Sequence, residues 1–318
     1  MVGTENRERE RDMKQAIPGR KTTKRLWRHM VRSAVSLAGR MEDLFWGVVD
    51  GRRPSPLPGM TARAACCLDA ASGAVLLARQ AELRVRPASL AKLMTALLLV
   101  RSTKLDETVE IASADITRGS VVGLRAGDIL RYRDLLHALL LASGNDAATA
   151  IARTLAARGH GSDPVASFVR AMNEHAHTLG LTKTRFRNPS GLDALGQYSC
   201  ARDLAVLARE AFRNPEIRAA ISTPMHRIEY RGPHARRQEI VSTHALLGHA
   251  DVVGGKTGTT RRARGCLALL ARLDDREVVA VVMGSALQWD PSGQPIPNTD
   301  RRYADVRELL SILRESGH

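Results

Sequence analysis

Two residues capable of nucleophilic chemistry, Ser89 and Lys92, lie three positions apart in the stretch RPASLAKLMT. A serine hydroxyl is a weak nucleophile until a base takes its proton. On a helix, residues three apart share one face and lie about 5–6 Å from each other, so the lysine amine can reach the serine. Lysine acts as a base only when burial or a nearby cation lowers its pKa. The pair therefore predicts a serine nucleophile, with Lys92 as its base.

Two further short strings follow along the chain, Ser143-Gly144-Asn145 and Lys256-Thr257-Gly258. Each is weak evidence alone, because strings of this length arise by chance. Each occurs once, however, and the three stand in the order SxxK, SxN and KTG. That ordered set is typical of serine enzymes that react with penicillin.

The residue types in these two strings suggest how they assist the first pair. The cation of Lys256 lowers the pKa of Lys92, since a like charge disfavours protonation. Ser143 can relay a proton, and Asn145 can hold a substrate amide. Gly258 lets a strand backbone approach a ligand closely, because no side chain intervenes.

The helices and strands that would position these residues follow from hydrophobic periodicity. Pro87 begins a mostly buried helix, whose free N–H groups near Ser89 suit a developing oxyanion. Further helices are predicted at 133–157 with a break at 143–145, and at 165–180, 200–213 and 302–314. Strands are predicted for AACCL, AVLLAR, 266–273 and 277–284. We predict an α+β fold, in which an antiparallel sheet from both chain ends packs on a central helical cluster.

Composition limits the possible partners of the chain. The 318 residues are 44% hydrophobic and 25% charged, a profile typical of a globular protein. The net charge is +15, but aromatic residues make up only 3% and no RNA-binding signature occurs, so no nucleic-acid partner is expected. The four cysteines form no CxxC pair and predict small buried side chains, with Cys66 and Cys67 on opposite faces of a strand. No metal or cofactor is expected.

The first 60 residues differ from the rest of the chain. They form a basic tail in which 25–49 have apolar residues near helical spacing, followed by the Pro/Gly linker GRRPSPLPGM at 51–60. An amphipathic helix at 25–49 could lie on an anionic membrane or pack on the protein, and the sequence favours neither. Residues 25–49 lack the continuous apolar core of a secretory signal. We therefore expect two parts, a tail at 1–60 and a catalytic domain at 61–318.

Longer segments around the three strings extend the similarity. They are SLAKLMTALLL, LLLASGNDAATAIA (139–152), FVRAMNEHAHTLGLTKTRFRNPSGLD (168–193), GQYSCARDLAVLAR (196–209) and VVGGKTGTT (252–260). With them, residues 62–314 resemble the D-alanyl-D-alanine carboxypeptidase family of low-molecular-mass penicillin-binding proteins. The resemblance implies a β-lactamase/transpeptidase-like fold with the site between sheet and helices. It also implies peptidoglycan stem peptides ending in D-Ala-D-Ala as substrates, β-lactams as inhibitors, and a location in the cell envelope or periplasm.

The resemblance also implies roles for single residues. Ser89 attacks the penultimate carbonyl and releases the terminal D-Ala, and water then hydrolyses the acyl-enzyme. Thr257 and Thr259 bind the substrate carboxylate beside Lys256. The backbone N–H groups of Ser89 and Thr259 form the oxyanion hole. Ser143 passes a proton to the leaving amine.

Two positions depart from the family pattern, and several alternatives stay open. His244 stands where the family often has asparagine, and Cys200 stands where threonine or serine is common. These departures bear on substrate preference.

A D,D-endopeptidase that cuts crosslinks between stems is the nearest alternative activity. A non-catalytic penicillin-binding protein of the cell wall is the second. The export route and a peripheral membrane contact through 25–49 are also open.

Overall fold

Strands from both ends of the described chain meet in one sheet. The structure, a computed structural model, describes residues 59–156, 163–296 and 298–315. The strands in chain order are β1 (Ala64–Asp69), β2 (Val75–Arg79), β3 (Thr108–Glu110), β4 (Ile129–Arg131), β5 (Met225–Tyr230), β6 (Arg236–Val241), β7 (Val252–Thr260), β8 (Arg264–Leu273) and β9 (Arg276–Ser285). The predicted helix at 25–49 and most of the predicted linker lie outside the described residues.

The main sheet is antiparallel and has the strand order β2-β1-β9-β8-β7. The predicted hairpin β1–β2 and the predicted pair β8–β9 are both present, and β8 and β9 are joined by a turn with Asp274 at φ +50°. β7 is an edge strand, with β8 on one side only. Its other edge is therefore available to a ligand.

Seven α-helices occur in the described residues. They are α1 (Lys92–Ser102), α2 (Tyr132–Leu140), α3 (Asn145–Ala156), α4 (Pro164–Thr178), α5 (Ala201–Arg213), α6 (Pro215–Ser222) and α7 (Arg302–Glu315). The predicted helix after Pro87 differs at its start, because Ala88–Ala91 form a 3-10 turn and α1 begins at Lys92. None of the helices in 59–156, 163–296 and 298–315 is long and apolar enough to cross a membrane.

The sheet separates two hydrophobic cores. Alternate strand residues face opposite sides, so Cys66 packs into the larger core with the helical cluster, whereas its neighbour Cys67 packs into a smaller core under α7. Both cysteines are completely buried and free, as predicted for small apolar side chains. The predicted fold, a sheet from both chain ends on a helical cluster, is confirmed.

Three elements were not predicted. The hairpins β3–β4 and β5–β6 are short or rich in charged residues, so they lack a strong apolar alternation. The helix α6 has a clear start signal, since the Asn214 side chain accepts hydrogen bonds from the backbone N–H groups of Glu216 and Ile217. Pro215 occupies the first position of this helix, where its missing N–H is not needed.

The buried carboxylate of Asp146 fixes a loop beside the predicted site. The carboxylate accepts from the backbone N–H groups of Val122, Gly123 and Leu124 at 3.0–3.2 Å, as well as from that of Ala147 at 2.9 Å. Its main structural effect is therefore to hold the loop before β4 against the start of α3.

Replacing this carboxylate should destabilise the protein. Asp146→Ala leaves several buried N–H groups without an acceptor, and we expect the free energy of unfolding to fall by about 2–4 kcal/mol. Urea denaturation followed by circular dichroism measures the change. Glu308→Gln, which alters an exposed carboxylate on α7, should shift it by less than about 0.5 kcal/mol. Equal losses in the two variants would contradict the assignment.

Candidate active site

Ser89 and Lys92 meet at the start of α1. Ser89 lies in the 3-10 turn and Lys92 is completely buried. The Lys92 Nζ atom lies 3.0 Å from Ser89 Oγ, 2.8 Å from Asn145 Oδ1 and 2.8 Å from the Ser190 carbonyl oxygen. The amide and carbonyl oxygens can only accept, whereas the serine hydroxyl can also donate. A neutral amine would donate its two N–H groups to those oxygens and direct its lone pair at the Ser89 hydroxyl.

The pKa of Lys92 fits a neutral amine. Burial lowers it well below its ordinary value, and the charge of Lys256 lowers it further. Asp146 has the opposite, smaller effect. Because the uncharged form of a buried amine is favoured, Lys92 can act as a proton acceptor near neutral pH.

The Ser190 carbonyl is a site feature that the sequence analysis missed. It belongs to a loop in which Asn188 Oδ1 accepts from the Gly191 N–H at 2.7 Å. Gly191 has φ +83°, and a Cβ atom there would lie 1.8 Å from the Ala88 carbonyl oxygen. Only glycine permits this approach of the loop to the nucleophile turn. The Asn-Pro-Ser-Gly string is a turn signal, but nothing in it indicates a contact with a distant lysine.

Ser143 and Asn145 lie in the predicted break between α2 and α3. Asn145 bridges two segments, because its Oδ1 faces Lys92 while its Nδ2 donates to the Arg118 carbonyl at 3.0 Å. Ser143 is buried and has φ +59°, a strained conformation for a residue other than glycine. The structure joins the Ser143 hydroxyl to neither Ser89 nor Lys92 by a hydrogen bond, so its predicted relay role depends on a bound substrate.

The edge strand β7 brings the third string to the site. A Cβ atom on Gly258 would lie 3.1 Å from the Ser89 backbone nitrogen, which explains the glycine there. Lys256 is completely buried, and its Nζ donates to the Thr257 carbonyl at 2.9 Å. The hydroxyl of Thr257 lies 2.6 Å from that of Thr243. Ser89, Lys92 and the KTG strand therefore form one cluster.

Arg302, at the start of α7, supports β7 from behind and was not singled out in the sequence. Its guanidinium is buried and donates to the carbonyls of Gly258 and Cys266 and to Thr259 Oγ1 at 2.6 Å. Burial lowers the pKa of Lys256 to about 7, and the charge of Arg302 adds to this effect. No local sequence signal distinguishes Arg302 from the other surface-type arginines of this basic chain.

His244 packs behind the same strand. Its Nδ1 accepts from the Leu246 N–H at 3.2 Å, and its buried Nε2 has no partner among the described residues. The ring lies so close to Gly255 that a Cβ atom there would be 2.7 Å from Nε2. Burial lowers the pKa of His244 to about 4, and the charge of Lys256 contributes. The histidine is therefore neutral at pH 7.

Several of these residues line one cavity of about 820 Å³. Ser89, Asn145 and Thr259 contribute to its wall, together with the segments 191–193 and 289–295. In the part of the chain that the structure describes, no group of three histidine, cysteine or acidic residues is placed to hold a metal ion. The chemistry that this arrangement offers is nucleophilic attack by Ser89.

The neutral His244 should make stability sensitive to acid. In the unfolded chain its pKa is near 6.5, while in the folded protein it is about 4. Between these values the unfolded state binds more protons, so stability is lost as the pH falls through this window. The difference between the two pKa values corresponds to about 3 kcal/mol in the free energy of unfolding. Most of this contribution should be lost at pH 4.5.

The measurement compares urea unfolding of the wild type and His244→Asn at pH 7 and pH 4.5. We expect the variant to lose about 2–3 kcal/mol less than the wild type over this interval. His234→Asn, at an exposed position, serves as the control and should follow the wild type. The assignment is wrong if both variants behave alike.

Comparisons with known proteins agree with this geometry. The family model for D-alanyl-D-alanine carboxypeptidases matches residues 52–286. The chain is 32% identical over 252 residues to the D-alanyl-D-alanine carboxypeptidase DacF of Bacillus subtilis, covering 77% of this chain and 62% of that protein. It is 32% identical over 219 residues to a D-alanyl-D-alanine endopeptidase of Pseudomonas aeruginosa, covering 68% of each. The chain thus spans about three fifths of the length of the Bacillus relative.

A solved structure supports the same relationship. The crystal structure of the Streptomyces K15 DD-transpeptidase superposes with a TM-score of 0.72 at 27% sequence identity, covering 81% of this chain and 99% of that one. The resemblance and the fold class predicted from the sequence are both confirmed. Because the family match extends over most of its length, the chain belongs to the D-alanyl-D-alanine carboxypeptidase family.

Proposed function

We propose that the chain is a serine-type D-alanyl-D-alanine carboxypeptidase, which removes the terminal D-Ala from peptidoglycan stem peptides through an acyl-enzyme on Ser89. The observation that carries this proposal is the position of the Lys92 amine, whose nitrogen lies 3.0 Å from Ser89 Oγ. The same amine also contacts Asn145 Oδ1 and the Ser190 carbonyl oxygen, which can only accept hydrogen bonds. We assign this activity to residues 61–318 as the catalytic domain. The basic tail at 1–60 is a separate part of the chain.

The first half of the reaction forms the acyl-enzyme. Lys92 takes the hydroxyl proton of Ser89, and Ser89 Oγ attacks the carbonyl carbon between the two D-alanines. The negative charge that develops on the carbonyl oxygen is stabilised by the backbone N–H groups of Ser89 and Thr259. Gly258 allows this strand to lie against the nucleophile turn, since a side chain there would contact the Ser89 nitrogen.

The leaving group departs on the side of Ser143. The C–N bond breaks, and Ser143 relays to the D-Ala amine the proton that Lys92 took from Ser89, which leaves Lys92 neutral. Asn145 orients both the substrate amide and the amine of Lys92. The carboxylate of the departing D-Ala binds the hydroxyls of Thr257 and Thr259 beside Lys256. Hydrogen bonds from Thr243 and Arg302 hold those two hydroxyls in place.

The second half of the reaction hydrolyses the ester. Lys92 takes a proton from water, which attacks the acyl carbon; the bond from that carbon to Ser89 Oγ then breaks, and Lys92 returns the proton to Ser89 as the shortened peptide leaves. A β-lactam presents a comparable amide and acylates the same serine.

We propose that the enzyme acts in the cell envelope, where peptidoglycan lies, and that the tail segment 25–49 provides a peripheral membrane contact. No nucleic acid takes part.

A second activity, cleavage of crosslinks between stem peptides, is favoured by the relative named D-alanyl-D-alanine endopeptidase. A crosslink places a larger group on the departing amine than a free D-Ala does, while the chemistry at Ser89 is unchanged. The two activities give different products from crosslinked muropeptides. Loss of dimers indicates the endopeptidase, whereas release of free D-Ala indicates the carboxypeptidase.

Removing the nucleophile tests the proposal directly. We expect Ser89→Ala to lose labelling by fluorescent penicillin and release of D-Ala by at least about 1,000-fold, because no other group forms the ester. Mass spectrometry of the wild type should find the adduct on Ser89. Ser113→Ala, which changes an exposed serine, should react like the wild type. Labelling of the Ser89→Ala protein at the wild-type rate would contradict the assignment of Ser89 as the nucleophile. Labelling of the wild type with no turnover of any peptide would favour a non-catalytic binder.

The charge of Lys256 should limit activity on the alkaline side. Its pKa is lowered to about 7, so the amine loses its charge as the pH rises above that value and its attraction for the substrate carboxylate is lost. We expect kcat/KM for D-Ala release to fall above about pH 7. Lys256→Arg keeps the charge, because a guanidinium stays protonated, and its alkaline limb should lie about one pH unit or more higher. The pH profiles of kcat/KM measure both limbs, and coincident alkaline limbs would refute this role.

A further inference from the structure

The cavity at Ser89 continues past the reacting serine along the free edge of β7. Lys256 and Thr257 precede the point where Gly258 meets Ser89, and Thr260 follows it. Arg261 directly follows the end of β7, three residues beyond Gly258, so its Cα atom is at most about 10 Å from that glycine. Since the proposed mechanism places the departing D-Ala near Lys256, this other end of the cavity faces the part of the substrate that stays on the enzyme.

A guanidinium without a partner lies at this end. The side chain of Arg261 lines the cavity, and among the described residues it makes neither a hydrogen bond nor an ion pair. It is exposed and lies against Gly293, where a Cβ atom would be 2.5 Å from Arg261 Nη2. Its donors are therefore left for a ligand.

A carboxylate lines the same end of the cavity. Asp193 accepts a hydrogen bond from Thr260 Oγ1 at 2.9 Å, and no lysine or arginine among the described residues forms an ion pair with it. Arg261 and Asp193 line one cavity, yet they are not within ion-pair distance of each other. The site therefore presents a positive and a negative group, and neither has an ion-pair partner among the described residues.

Apolar side chains lie between and beside these charges. Leu192 is 42% exposed, although a leucine of this size is usually buried. Trp289 pairs with Pro295 by an antiparallel bridge, and both line the cavity with Leu192. An aliphatic chain can lie against these three side chains before its end reaches Arg261 and Asp193.

We propose that this end of the cavity binds the side chain of the substrate residue directly upstream of the two D-alanines, and that it selects an aliphatic side chain ending in both an ammonium and a carboxylate, as in a diaminodicarboxylic acid. Arg261 binds the carboxylate, Asp193 binds the ammonium, and Trp289 covers the methylene groups. This inference rests on the proposed function. The reach is suitable, because one residue of extended peptide plus a four-carbon side chain spans about 8–9 Å.

A lysine side chain in the substrate would satisfy only half of this site. It has the ammonium for Asp193 but leaves Arg261 without its anion. A diaminodicarboxylic side chain whose carboxylate is amidated has the same defect, at equal length. A charge-assisted hydrogen bond to a well-placed guanidinium changes affinity by about 10-fold to 100-fold. Discrimination between the free acid and its amide is therefore the specific signature of Arg261.

The test uses three synthetic stem peptides that differ only in the residue upstream of D-Ala-D-Ala: meso-diaminopimelic acid, its amide on the distal carboxylate, and L-lysine. We expect the wild type to have a kcat/KM at least about 10-fold higher for the free acid than for either other peptide. Arg261→Gln should reduce the acid-to-amide ratio to below about 3-fold, mainly through KM. Arg264→Gln removes an exposed arginine at the start of β8, which does not line the cavity, and should keep the wild-type ratio.

Penicillin acylation distinguishes failure of the proposed carboxypeptidase function from failure of the proposed substrate specificity. Labelling of Ser89 in all three proteins shows that the variants are folded and the nucleophile is intact. If the wild type releases D-Ala from the three peptides at equal kcat/KM, the specificity assigned to Arg261 and Asp193 is wrong while the carboxypeptidase activity stands. If the wild type is labelled but releases D-Ala from none, the proposed function itself fails, and this assignment fails with it. An unchanged ratio in Arg261→Gln would also overturn it.

Discussion

A lysine amine enclosed by the protein has to remain uncharged, and much of the molecule is arranged around that requirement. Lys92 has no exposed surface, and an isolated ammonium in such a place is strongly disfavoured. No carboxylate of the described residues lies within ion-pair distance of its amine. The neighbours of the amine are instead an amide oxygen, a carbonyl oxygen and a hydroxyl. A second amine, on Lys256, adds repulsion against the proton. The basicity of this group is thus set by burial and by charge together.

The two lysines are positioned by opposite layers of the fold. Lys92 is presented by α1, in which residues 92–97 and 99 are all buried and the apolar ones belong to the larger core. Lys256 belongs to the edge strand, which α7 supports through Arg302 on the far side of the sheet. The cleft therefore lies at the junction of layers that each have their own hydrophobic core. A change in the packing of either layer alters the distance between the two amines.

The sequence is informative where the chemistry depends on local spacing. Ser89 and Lys92 are neighbours on one turn, and Gly258 marks a close backbone approach, so both features follow from short-range geometry. The sheet and its helical cluster could also be predicted, because β8 and β9 carry continuous apolar runs. The carbonyl of Ser190 could not be predicted, because it reaches Lys92 across 98 residues of chain.

Other parts of the site depend on contacts that have no signature in composition. Arg302 looks like any of the numerous arginines of the chain, and only the tertiary structure places it under β7. Asp146 lies in the first turn of α3, yet its main partners are backbone groups more than twenty residues earlier. In both cases one side chain satisfies several backbone groups at once. Such groups are obligatory hydrogen-bonding partners, but the sequence does not tell which side chain will serve them.

The separation of the two hydrophobic cores by the sheet has a consequence for the redox chemistry of the cysteines. The adjacent thiols of Cys66 and Cys67 point into different cores, and burial raises the pKa of each to about 12. The thiolate is the species that attacks disulfides and peroxides, so at ordinary pH almost none of it forms. Cys200 and Cys266 are buried with raised pKa values as well. In the folded protein these four free thiols should therefore react only slowly with disulfides and peroxides.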